Sequence, residues 1–198
     1  MRIAIAAALV AGVLPAQTVS IEEYEPRSTL VVPSGRITRA RFPLIDVHNH
    51  QRVSSPEQVD RLVKEMDALN LRVMVNLSGG YGERLAKNIE AFGRRHPGRF
   101  VLFANIDFSG IDEPDYPRRA AAQLEQDVKA GARGLKIFKS FGMDLKDGAG
   151  RRVAVDDPRF DLVFQTCARL GIPVLIHTAE PKALFDPMDR CHDRWLVL

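Results

Sequence analysis

The stretch FPLIDVHNHQ, residues 42–51, carries a short apolar run into two histidines one residue apart. In a β-strand successive side chains alternate faces, so His48 and His50 project to the same side, about 7 Å apart along the backbone. Two imidazoles on one face of a strand end form a metal-chelating pair. Asp46 shares their parity and places a carboxylate one step below the rings, while Val47 and Asn49 face the other way. An ordinary buried strand running into a polar loop explains one such histidine well and the pair less well, so the rest of the chain has to decide between the readings.

Downstream the pattern is regular. A strand over 44–48 precedes a helix over 56–69, with Ser55 at the N-cap, Pro56 at the first helical position, and Val59, Leu62, Val63, Met66 and Leu69 as the apolar stripe. Asn70 is read as its stop. Residues 71–77 read as a second strand and 82–95 as a second helix, closed by the HPG run at 96–98. His96 suits a cation at that helix end better than a metal ligand. A third strand is expected over 100–106, a third helix over 118–130, a fourth strand over 134–139, a fourth helix over 157–170 and a fifth strand over 172–177. Alternating strands and helices, with several strands apolar on both faces, predict a parallel sheet covered by helices. Helix-to-strand connections are short, whereas residues 107–117 and 140–156 make long strand-to-helix loops. The strand C-termini therefore form an elaborated rim, the end at which parallel α/β folds build their sites.

Further candidates fall on that rim. His177 ends the fifth strand and can converge with His48 and His50 on one ion. Lys136 lies inside the apolar fourth strand, where its charge is costly unless paired or removed. Lys139 has the opposite parity, so one of the two looks inward and the other reaches solvent or the loop. Asp107, nearest the end of the third strand, and Glu180, three residues beyond His177, are candidate substrate contacts or supports of the ligands. The SGGYG run at 78–82 lacks the spacing of a dinucleotide or phosphate loop and reads as a flexible rim turn.

Composition narrows the function classes. The chain has 198 residues, 45% apolar and 27% charged, which suits one globular domain. A net charge of +3 spread along the sequence gives no basic patch for nucleic acid. Residues 1–16 read as a signal peptide: Arg2 opens it, residues 3–14 are an apolar run, and Leu14-Pro15-Ala16 offers cleavage chemistry. That run is shorter than the roughly 20 residues of a membrane span, so a periplasmic or secreted protein without stable membrane insertion is expected. Residues 17–41, interrupted by Pro26, Pro33 and Gly35, read as an extended arm, and residues 42–198 as the main domain. Cys167 and Cys191 are too few for a disulfide scaffold, and Cys167 falls on the apolar face of the fourth helix.

Three motifs in order, DVHNH at 46–50, GLKIFKSFG at 134–142 and IPVLIHTAEP at 172–181, resemble the metal-dependent amidohydrolase superfamily, most closely its amidohydrolase-related family. The resemblance implies a (β/α)8 TIM-barrel type of α/β fold, here incomplete, with about five of eight strands present. It implies a divalent metal, zinc as one or two ions, held by His48, His50 and His177, with Lys136 in the place of the carboxylated lysine that bridges two-metal members. Asp46 would support the ligands. The family's general-base aspartate would lie beyond Leu198, so no catalytic residue is assigned, and the chain reads as a truncated N-terminal part of the barrel. The implied activity is hydrolysis of a small amide, ester or lactone. Non-oxidative decarboxylation on the same scaffold, or a fragment that binds only metal or a partner, are the alternatives. Unpaired barrel edges would be covered by the arm and tail or by a second copy in a homo-oligomer.

Overall fold

The computed structural model describes residues 35, 37–52, 55–177 and 180. The expected signal peptide, most of the expected arm, Cys191 and His192 lie outside the described residues.

Helix α1, Pro56–Leu69, forms for the reasons legible in its sequence. The Ser55 side chain accepts the Gln58 backbone N–H, and the Gln58 side chain accepts that of Ser55, closing a capping box. Val59, Val63 and Met66 bury its apolar stripe, and Asn70 ends it in the left-handed region at φ 63°. The chain then turns directly into β2, Leu71–Asn76, which pairs in parallel with β1, Leu44–Asn49, and with β3, Phe100–Leu102. A second parallel sheet holds β4, Ala104–Asn105, β5, Leu135–Ile137, and β6, Val174–Ile176. Between them come α2, Gly82–Ile89, continued by a π-helical turn at Glu90–Arg94, and α3, Tyr116–Ala130. A kinked single turn, α4, Ser140–Met143, follows β5, and α5, Asp161–Leu170, leads to β6.

The expected eight-stranded barrel type is corrected by this topology. The described strands form two three-stranded parallel sheets, ordered β1-β2-β3 and β4-β5-β6, and no barrel is evident among the described residues. The break falls at Phe103, inside what the sequence predicts as one strand. The Phe103 ring covers Gly134, where an added Cβ would stand 2.4 Å from it, and the Phe103 carbonyl abuts Gly79 so closely that a Cβ there would meet it at 2.2 Å. On either side of Phe103, Leu102 and its predecessors pair with β2, whereas Ala104 and Asn105 pair with β5.

One apolar cluster joins both sheets to the helices, running from Val59 and Met66 through Leu85, Phe92 and Leu102 to Leu135, Ile137 and Phe160. Phe141 and Phe160 stack with ring centroids 4.4 Å apart. Cys167 is buried and free in this core, as its place on the α5 apolar face predicts, and burial pushes its thiol up to about 11. The outer edge is β1, which leaves Ile45 59% and Val47 63% exposed, and Phe42 just before it is 71% exposed. Among the described residues no helix is long and apolar enough to cross a membrane.

Candidate functional site

The end of β1 departs from simple alternation. Asp46 pairs with Met74 and Asn49 with Asn76, so three steps of β1 match two of β2 and a bulge lies between. Asp46 holds that bulge: its Oδ1 accepts the His48 backbone N–H at 3.0 Å and its Oδ2 accepts from the Asn49 side chain at 2.6 Å. The carboxylate thus fixes the backbone of His48 and makes no hydrogen bond to either imidazole. The bulge nevertheless brings the rings together, the centroids of His48 and His50 lying 5.2 Å apart, edge to face.

Beyond the bulge, Asn76 takes over from the ladder. Fully buried at the end of β2, it accepts the Gln51 N–H at 3.2 Å and donates to the Gln51 carbonyl at 3.0 Å. The same Oδ1 accepts the Ser78 N–H at 3.0 Å. Ser78, 7% exposed, places its Oγ 3.0 Å from His50 Nδ1.

The second sheet supplies the facing side. Phe138, just past β5, lies 5.7 Å from the His50 ring, and Lys136 Nζ stands 5.6 Å from the Phe138 centroid. Lys136 is 1% exposed, and its Nζ has no hydrogen-bond partner among the described residues. Burial holds this ammonium below the ordinary lysine range. Burial also lowers His50, reinforced by the charges of His48, Lys136, Arg52 and His177. His177 is set at the end of β6 by its N–H to the Ile137 carbonyl at 3.1 Å. Residues from the ends of β1, β2, β5 and β6 therefore act on one imidazole between the two sheets.

The match to the sequence candidates is uneven. His48, His50 and Lys136 come together, and His177 acts on His50 through its charge. Among the described residues, however, no three His, Cys, Asp or Glu side chains are grouped closely enough to hold an ion as they stand. In kind the donor set fits a divalent metal: paired imidazoles, a third at the end of β6 in the other sheet, and a buried amine without a hydrogen-bond partner among the described residues. Lys139 is the outward lysine, 51% exposed at its side chain and ion-paired with Glu180. Asp107 lines a different place, an open cleft of about 600 Å³ with Tyr81, Arg84, Lys87 and Gln123, which none of the histidines borders. The 78–82 turn is packed, not flexible: Ser78, Gly79 and Gly80 are buried, and the Gly80 and Gly82 N–H groups bond Asn105 and Asp127. Asn76 and Phe138 are not among the sequence candidates, and Ser78 enters there only as part of the 78–82 turn, though a lone asparagine in the apolar run LRVMVNL is a signal for the first.

Comparison of the chain with family models, with curated proteins and with solved structures returned no match in any of the three.

Proposed function

We propose that the chain binds a divalent ion through His48 and His50, with His177 and Lys136 completing the donor set, and hydrolyses a small amide, ester or lactone. The observation that carries this reading is the Lys136 amine, buried and without a partner among the described residues, beside two imidazoles packed edge to face. An unpaired buried charge is destabilising by several kcal/mol in order of magnitude, and such groups concentrate where chemistry needs them. A bound divalent ion would supply Lewis acidity, lowering the pKa of water from 15.7 to about 7 and polarising a carbonyl.

The chain's own residues prepare that task. Burial and the neighbouring charges lower His50 from its ordinary value, which favours the neutral form that ligates. Burial likewise favours the neutral amine of Lys136. As an amine it can take up carbon dioxide, forming an N–C bond and releasing a proton, to become the carboxylate that bridges ions in the resembled two-metal enzymes. Phe138 lies between the two donors, 5.7 Å from the His50 ring and 5.6 Å from Lys136 Nζ.

Zinc or cobalt titration of the full chain, followed by analysis of retained metal, tests the reading. One or two ions per chain are expected, and loss of binding in the His48→Ala, His50→Ala double variant. Unchanged metal content in that variant contradicts it. Carbon dioxide release from an unsaturated acid, with amides, esters and lactones left intact, would replace hydrolysis by decarboxylation at the same residues.

A further inference from the structure

Ser78 is buried, lies outside the motif that supplies the histidines, and touches His50 at one ring nitrogen. Its position is set twice over. The Ser78 N–H is held by Asn76 Oδ1 at 3.0 Å, and the same asparagine side chain grips both backbone groups of Gln51, the residue after His50. The serine hydroxyl and the histidine backbone are therefore referred to a single fully buried amide. A side chain serving as ladder partner past the last strand pair extends the precision of the sheet to residues that would otherwise belong to a loop.

We propose that Ser78 is a positioning residue that fixes the tautomer of His50, accepting a hydrogen bond from Nδ1–H so that Nε2 presents its lone pair to the site. This inference rests on the metal-binding reading for its use, but not for its geometry. Ser78 Oγ is the hydrogen-bond partner of the ring among the described residues, at 3.0 Å from Nδ1. A serine hydroxyl can accept or donate, but a ring that offers its Nε2 lone pair to an ion carries its N–H at Nδ1, and Ser78 Oγ stands in place to accept it. A ligating histidine held through its other nitrogen has its ring orientation and basicity set together, and losing such a partner weakens metal binding by about 10- to 100-fold.

The test has a metal-free arm and a metal arm. Nitrogen-15 correlation spectra of the full chain without metal, at a pH where imidazoles are neutral, are expected to show His50 protonated at Nδ1. In Ser78→Ala the proton is expected to move towards Nε2, and in Ser78→Thr, which keeps the hydroxyl, to stay at Nδ1. A purely structural serine would not move this signature. His50 protonated at Nε2 in the unaltered chain, or a tautomer indifferent to Ser78→Ala, overturns the inference whether or not metal binds. In the metal arm, cobalt affinity is expected to fall about 10- to 100-fold in Ser78→Ala and to recover in Ser78→Thr. Equal affinity in all three overturns the positioning role. If the unaltered chain binds no cobalt while His50 carries its proton at Nδ1, it is the metal reading that falls, and the tautomer assignment stands.

Discussion

Lys136 is where the residue scale is most informative, because its sequence context and its surroundings agree. A lysine within GLKIF is anomalous in a strand, and it proves to be buried, with the Phe138 ring 5.6 Å from Nζ and no hydrogen-bond partner for Nζ among the described residues. Its ammonium lies below the ordinary range through burial, so the stability tied to it is present above the usual lysine range and lost as pH falls through the lowered value. At neutral pH the group therefore works against folding. Lys136→Met is expected to unfold at an equal or higher temperature while losing metal affinity, read by thermal scans in chelator and by cobalt titration. A marked fall in melting temperature would show that the amine has a structural partner. The opposite lesson comes from Asp46. Its parity predicts a carboxylate beneath the rings, but the bulge redirects it to the His48 N–H and the Asn49 amide, and no periodicity rule contains a bulge.

At the scale of elements, helices were more legible than strands. The α1 boundaries follow from Ser55, Pro56 and Asn70, local groups that act on their own backbone. Ser55→Ala is expected to cost about 1 kcal/mol in urea unfolding, since it opens the capping box. The start of α2 at Gly82 was read correctly, but its cap was not, because the Gly82 N–H is held by Asp127 from α3, forty-five residues away. Asp127 is buried, which raises its pKa, so its contribution is fully present below the usual carboxylate range and lost as pH rises through the raised value. Asp127→Asn keeps an acceptor for Gly82 and is expected to be at least as stable at neutral pH. Asp127→Ala removes the cap and is expected to lose about 1 kcal/mol. The break of the third predicted strand at Phe103 depends on contacts with Gly79 and Gly134, residues remote in sequence, and so leaves no local signature.

Across the whole described molecule, parallel pairing and helical cover were readable from the alternation of elements, whereas the division into two sheets was not. That division places the candidate site between the sheets, with His48, His50 and Ser78 on one side and Lys136, Phe138 and His177 on the other. Ion pairs add an acid-sensitive contribution elsewhere in the fold. The Arg95 guanidinium, with His96, holds Asp60 down to about 2, linking α1 to the turn after α2. The Arg151 N–H and guanidinium hold Asp147 low in the loop before α5. Stability from these groups is present above the usual carboxylate range and is lost as pH falls towards 2. Acid unfolding is therefore expected in that window, shallower in Asp60→Asn, as followed by circular dichroism against pH. The central claim is that the paired imidazoles of His48 and His50 anchor a divalent ion. Metal analysis of the full chain after zinc loading and desalting tests it most directly: one or two zinc ions per chain, lost in the His48→Ala, His50→Ala double variant, is the expected result, and equal zinc in both proteins would contradict it.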